Sequence, residues 1–148
     1  IKSAKNGTQI TLRNPNAVRP WQFILDVLSG YLAAAVYVKS TGGLEISALN
    51  IGPTEDNFCT VAELTSMATQ EWGATVDQYQ KQHEPEMHEA SLLSLDISLA
   101  LQKLDWAPQY NLIEAVRQTV LWYKQAANGA NMQKYTRKQI EQFLGISA

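Results

Sequence analysis

The sequence predicts a small mixed α/β lobe, one unit over residues 1–148, with few short strands and about five helices. Three observations carry this. The chain is 148 residues long and 45 % apolar, enough to fill one core and too apolar for wholesale disorder. Short segments of alternating apolar and polar residues are interleaved with longer segments of helical period. No internal repeat, low-complexity tract or long linker divides the chain.

The elements follow in order. Gln9 to Arg13 alternates around Ile10 and Leu12, a half-buried strand, and Asn14-Pro15-Asn16 is turn chemistry. Asp26 stands before a helical stripe of Val27, Leu28, Tyr31, Leu32, Ala35 and Val38, so its carboxylate is the expected N-cap. Thr41-Gly42-Gly43 ends that helix. Leu44 to Ile51 alternates again and reads as a second strand, closed by Gly52-Pro53. Thr60-Val61-Ala62-Glu63 is a capping box opening a helix with Val61, Leu64, Ala68 and Trp72 on one face. Thr75 to Tyr79 is a short strand candidate, and Gln80 to Ala90, polar and acidic around Pro85, is a loop. Asp96 or Ser98 caps a short helix ending near Leu104. Asn111 opens a longer one that Asn128-Gly129 terminates. Thr136-Arg137-Lys138-Gln139 reads as a second capping box, opening the last helix with Ile140, Phe143 and Leu144 apolar.

Composition excludes several classes. Twelve Lys and Arg against 14 Asp and Glu give a net charge of −2, which argues against nucleic acid as a partner. The lone Cys59 excludes an internal disulfide and, ahead of a helix, reads as structural. The longest apolar run, Tyr31 to Val38, falls far short of the roughly 20 residues of a membrane span. The first thirty residues lack a signal-peptide pattern. A soluble, cytoplasmic protein without a membrane partner is expected. Ile1 in place of Met leads us to expect a piece of a longer chain.

Catalytic motifs are largely missing. There is no Gly-x-Gly-x-x-Gly, no phosphate-binding Gly-x-x-x-x-Gly-Lys-Ser/Thr and no Gly-x-Ser-x-Gly. His83-Glu84-Pro85-Glu86-Met87-His88-Glu89 is rich in metal-ligand types, but Pro85 breaks any helix that would align the histidines. A solvated acidic loop is the simpler reading, and no metal is expected. Trp72 and Trp122 fall at helical positions, and Trp106 at a helix-to-helix corner. Trp21 differs, because it follows Arg19-Pro20 directly. Residues 1 to 25 contain Lys2, Lys5, Arg13 and Arg19 and no acid. Pro20 biases Arg19 toward extended backbone, which suits a guanidinium gripping phosphate or carboxylate. A surface arginine covering apolar area fits the same residues, and they leave both readings open.

The segment Arg13-Asn14-Pro15-Asn16-Ala17-Val18-Arg19-Pro20-Trp21-Gln22 resembles the start of the C-terminal lobe of the CDP-glucose 4,6-dehydratase family. These are extended short-chain dehydrogenase/reductases of Rossmann type. Leu25 to Leu32, Asn50-Ile51-Gly52-Pro53, His88-Glu89-Ala90 with Leu95-Asp96, and Leu104-Asp105-Trp106-Ala107-Pro108 resemble further family segments in the same order. The resemblance covers roughly residues 9 to 144. Three departures stand out. Phe23-Ile24 replace the family's His-Val, Asp96-Ile97-Ser98-Leu99-Ala100 lacks its Lys, and Asp105 replaces Gly in Leu-Gly-Trp.

The resemblance implies a two-lobe enzyme. An N-terminal Rossmann lobe, absent from this sequence, would hold NAD and a catalytic Tyr-x-x-x-Lys, and this chain contains no such pair. The chain would be the sugar-nucleotide-binding lobe, with CDP-glucose as ligand, inactive alone and binding no cofactor by itself. Arg19 would grip the diphosphate. Leu12 and Arg13, at the end of the preceding strand, would border the base pocket, and His88 and Glu89 would approach the nucleotide. The intact enzyme would act in deoxysugar biosynthesis for polysaccharides such as O-antigen. A lobe of another NAD(P)-dependent sugar-nucleotide epimerase or reductase is the alternative within the same class, and a stand-alone, non-enzymatic binding module is the alternative outside it. The face that meets the missing lobe would be apolar, so self-association into a homo-oligomer is expected.

Overall fold

Helix-forming sequence dominates, and the computed structural model, which describes residues 1–42, 48–74, 80–81 and 93–146, contains six helices and four short strands among them. In chain order these are α1 (Lys2–Asn6), β1 (Thr11–Leu12), β2 (Val18–Pro20), α2 (Ile24–Thr41), β3 (Phe58–Thr60), α3 (Val61–Trp72), β4 (Gln80–Lys81), α4 (Ser98–Lys103), α5 (Leu112–Ala127) and α6 (Met132–Phe143). The strands form two separate ladders. β1 pairs in parallel with β4, Thr11 opposite Gln80 and Leu12 opposite Lys81. β2 pairs antiparallel with β3, Val18 opposite Thr60 and Pro20 opposite Phe58. The mixed α/β class expected from the sequence is the class observed.

Most helix ends fall where the sequence puts them. Gly42, at φ 74°, closes α2 in the left-handed conformation. Thr60 and Glu63 form the reciprocal box: the Glu63 N–H donates to Thr60 Oγ1 at 3.1 Å and the Thr60 N–H to Glu63 Oε2 at 2.8 Å. Asn111 Oδ1 accepts from the Glu114 N–H at 2.9 Å and opens α5. Asp96 Oδ1 accepts from the Ser98 N–H at 2.9 Å at the start of α4.

Other expectations are corrected. Asp26 is not an N-cap, because α2 starts two residues earlier with Phe23 at its cap, and the Asp26 carboxylate reaches across to the loop before α5. The last helix opens at Asn131, whose Oδ1 accepts from the Lys134 N–H at 3.0 Å. Thr136 and Gln139 therefore lie inside α6, and Gln139 Nε2 donates instead to Gln118 Oε1 and to the Gln118 carbonyl. Gln80–Lys81 is strand rather than loop, since a ladder is made by backbone groups whatever the side chains. Of the strand expected at Leu44 to Ile51, residues 48–51 are not in a ladder, and 43–47 lie outside the described residues, as does the candidate strand at 75–79. Helix α1 and strands β2 and β3 carry no periodic pattern and were not expected.

Two buried clusters hold the elements. Phe23, Ala115 and Phe143 pack with Leu25 and Tyr110, joining α2, α5 and α6. Ala100, Leu104 and Trp106 pack with Ala33, Ala34, Tyr37, Leu49 and Ile51, seating α4 on α2. Gly30 makes the second seat: a Cβ there would stand 2.6 Å from Ile51 Cγ2 and 3.1 Å from Trp106 Cε2. Trp106 is the corner plug expected, 7 % exposed, its indole N–H donating to Ser29 Oγ at 2.9 Å. The preceding Asp105 sits at φ 47°, a left-handed conformation that glycine adopts at no steric cost and that Asp tolerates better than most residues.

Candidate functional site

The arginine-bearing segment is built by a short loop between two ladders. Pro15 and Ala17 are buried, and their carbonyls accept from the Ala62 N–H at 2.9 Å and the Val61 N–H at 3.1 Å. The first turn of α3 thus holds the loop from one side. β3 holds it from the other, with Arg19 opposite Cys59. Trp21 completes the clamp: its N–H donates to the Asn57 carbonyl at 3.3 Å and its indole Nε1 to the Cys59 carbonyl at 3.1 Å. The aromatic ring beside Arg19 therefore has a structural job, tying β2 to β3.

Arg19 is half-buried in the middle of β2, and its Nη1 donates to the Val18 carbonyl at 2.8 Å, which orients the guanidinium along its own strand. Arg13 is exposed just beyond β1. Leu12 is buried at 9 % exposure. It faces a cavity of about 520 Å³, walled also by Ile10, Trp21, Leu64, Ala68 and Val116. Gln22 lines this cavity, and its Nε2 is buried without a partner among the described residues. Leu12, Arg13 and Arg19 come from one continuous stretch of sequence, Leu12 in β1 and Arg19 in β2, which belong to separate ladders.

His88 and Glu89 lie outside the described residues. The backbone on either side of their segment is placed, however. Lys81 pairs with Leu12, and the Leu93 N–H donates to the Val18 carbonyl at 3.3 Å. Lys81 and Leu93, the described residues nearest that segment, are thus fastened to Leu12 and Val18. Sequence reading missed these two anchors because a backbone bond leaves no side-chain signature. His83, Glu84, Glu86 and the rest of the metal-like run also lie outside the described residues. Among the described residues no three His, Cys, Asp or Glu side chains gather as metal ligands do.

The electrostatics near this stretch are mild. Burial, and then the nearby Glu63 carboxylate, push the Cys59 thiol up, so it stays protonated and a poor nucleophile. The hydrogen bonds from Thr60 hold Glu63 below the usual carboxylate range. Arg19 does not line the cavity, which Leu12, Trp21 and Gln22 from the same stretch do. A half-buried guanidinium suits an anionic group, and an apolar cavity a flat or apolar one. Among the described residues of this arrangement nothing pairs a nucleophile with a base. The chain contains neither a Gly-x-Gly-x-x-Gly turn nor a Tyr-x-x-x-Lys.

The fold is that of part of the extended short-chain dehydrogenase/reductases of Rossmann type. The chain superposes on UDP-glucose 4-epimerase from Stenotrophomonas maltophila, solved with NAD and formylated UDP-arabinopyranose, with a TM-score of 0.70 and 21 % identity, covering 88 % of this chain and 40 % of that one. Against dTDP-glucose 4,6-dehydratase from Bacillus anthracis, solved with NAD, the TM-score is 0.68 with 21 % identity, covering 84 % and 37 %. In sequence it is similar to CDP-glucose 4,6-dehydratase of Salmonella typhimurium, 31 % identical over 147 residues, which is 99 % of this chain and 41 % of that protein. The resemblance read from five short motifs thus extends along nearly the whole chain, which spans about two fifths of the length of the relatives it matches. No family model matches it.

Proposed function

We propose that this chain is the substrate-binding portion of a sugar-nucleotide 4,6-dehydratase, with CDP-glucose as its ligand. The single observation that supports this most is the 31 % identity with a CDP-glucose 4,6-dehydratase along 99 % of the chain. In the reaction that relative is named for, the sugar loses water to give a 4-keto-6-deoxy product, and NAD supplies the internal redox chemistry when bound. The residues of this chain bind and orient. Arg19 pairs with the diphosphate, Leu12 and Arg13 border the base, and His88 and Glu89 approach from the segment between Lys81 and Leu93. Holding the diphosphate fixes the sugar in the reactive geometry and keeps water away from it. The chain by itself turns over nothing, because its general base and its cofactor belong to a dinucleotide-binding lobe. A soluble, cytoplasmic enzyme of deoxysugar synthesis goes with this reading, and among the described residues no helix is long and apolar enough to cross a membrane.

A second reading keeps the lobe and changes the reaction to an epimerase or reductase. It is favoured by the fold shared with UDP-glucose 4-epimerase. Thermal unfolding with CDP-glucose, UDP-glucose and dTDP-glucose separates the two. A ligand at a hundred times its Kd stabilises by about 2.7 kcal/mol, and CDP-glucose should give the largest shift. Arg19→Gln should weaken CDP-glucose by roughly 10- to 100-fold, the worth of a charge-assisted phosphate contact, measured against that variant's own unliganded melting temperature. An unchanged shift in that variant removes Arg19 from the site. A larger shift with UDP-glucose favours the epimerase reading, and turnover of CDP-glucose by the chain alone ends the claim that it only binds.

A further inference from the structure

Helix α6 is held from one side. Gln139 and Phe143 are buried there, Gln139 against Gln118 on α5 and Phe143 in the cluster with Phe23 and Ala115. On the face turned away, Gln133, Arg137, Ile140 and Leu144 follow at spacings of four, three and four, the period of a helix-pairing seam, and Glu141 flanks it. These residues wall a shallow, open groove that reaches Ile146. Ile140, Leu144 and Ile146 are 39, 55 and 57 % exposed, three aliphatic side chains grouped at one end of the helix. Arg137 is exposed and Glu141 half-buried, and neither has an ion-pair partner among the described residues. With the Arg four residues ahead of the Glu, the two stand in the order that pairs less well within one helix.

We propose that this seam is a self-complementary docking surface, on which a second copy of the chain lays its own α6 antiparallel. Charge decides the occupant. In a two-fold pair one patch serves both partners, so each charge has to be answered from within the same patch. With the axis at the level of Lys138 and Gln139, Arg137 falls opposite Ile140 of the second copy, one residue from its Glu141. Gln133 falls opposite Leu144 of that copy. The arginine stem covers the isoleucine while the guanidinium meets the carboxylate, and the contact is made twice. A partner of one charge sign would answer only one of the two groups, and a wholly apolar partner would desolvate both without a counter-charge. The seam is short. Its 12 helical residues span roughly 18 Å at 1.5 Å per residue, so the pair is a weak one that forms at micromolar concentration and above. The proposal does not rest on the functional reading, since it concerns a face remote in sequence from the arginine-bearing segment.

Sedimentation equilibrium of the chain, from low to high micromolar concentration, tests this. The wild type should pass from monomer to dimer across that range. Arg137→Glu and Glu141→Arg should each weaken the dimer by about tenfold or more, the worth of a charge-assisted contact, while circular dichroism shows unchanged helix content. Mixed in equal amounts, the two variants should recover a dimer, because each supplies the sign that the other lacks. The double variant R137E/E141R should recover it by itself. Leu144→Glu should stay monomeric, whereas Leu32→Glu, exposed on α2 outside the seam, should dimerise as the wild type does. A wild-type chain that is monomeric throughout overturns the proposal. So does a dimer that survives both charge variants, and so does a loss in the single variants that mixing fails to restore. Association that Leu32→Glu dissolves and Leu144→Glu leaves intact belongs to α2 and overturns the proposal as well. None of these outcomes involves CDP-glucose, so the functional reading is tested separately by the thermal shift.

Discussion

Asp26 is the residue where local and tertiary demands part. As the only acid in a helix that is otherwise apolar, it reads as a cap, yet it is 0 % exposed and binds across the fold. Its Oδ1 accepts from the Gln109 N–H at 2.6 Å and its Oδ2 from the Tyr110 N–H at 3.4 Å. These donors lie just ahead of α5, so one carboxylate ties α2 to a loop more than eighty residues away. Burial pushes its pKa up from 3.8, and the two backbone N–H groups offset this only in part. A carboxylate with a raised folded pKa binds protons more tightly in the folded state, so its contribution to stability falls as pH rises through the window above the unfolded value. Asp26→Asn should cost about 1–3 kcal/mol at pH 7, because the amide nitrogen meets an N–H that the carboxylate had satisfied. The stability gap between wild type and variant should widen as pH is lowered from 7 to about 4. Urea unfolding at both values measures it, and a gap that narrows on acidification shows that Asp26 does not carry the raised pKa.

Arg19 shows the opposite case at the same scale. Its candidacy rested on residue type and on Pro20, both local, and the structure adds its place opposite Cys59 and its bond to the Val18 carbonyl. His88 and Glu89 were legible only through the resemblance, and the structure contributes the anchors on either side of them rather than their positions.

At the scale of the element, the start of α3 was legible in four residues because its capping box is self-contained. Thr60→Ala should cost about 1 kcal/mol, a fall of roughly 2–4 °C in melting temperature for a chain of this size. A thermal melt followed by circular dichroism tests this, and an unchanged midpoint would mean that β3 and the loop at Pro15 to Ala17 hold α3 without the box. The start of α6 was misread because two capping patterns compete for it. Asn131 adds a turn of helix, and tertiary contact then draws Gln139 to Gln118 on α5. β2 and β3 were invisible for a different reason. Each is three residues long, too short for an alternation to register, and each exists through the other.

At the scale of the whole molecule, three aromatic rings join parts of the chain that sequence keeps far apart. Phe23 stacks on Tyr110 with centroids 5.3 Å apart, and Tyr110 meets Phe143 edge-on at 5.3 Å. This cluster fastens α6 to the start of α2, directly after the arginine-bearing segment. Phe143→Ala should therefore destabilise the protein by about 3–5 kcal/mol, a drop in melting temperature of roughly 10 °C. A loss below about 1 kcal/mol in denaturant unfolding would show that α6 is dispensable to the core.

The sequence by itself determined the α/β class, the family likeness, most helix ends and the candidacy of Leu12, Arg13 and Arg19. Each of these depends on interactions within a few residues or on a run of residue types. Only the tertiary structure decided that Asp26 bridges instead of capping, that Trp21 braces β3, that Gln80–Lys81 pairs with β1 and that α6 buries Phe143 while leaving Ile140 and Leu144 uncovered. Those outcomes depend on which distant backbone and side-chain groups meet, and burial then sets whether a polar group must find a partner and whether an apolar face needs one.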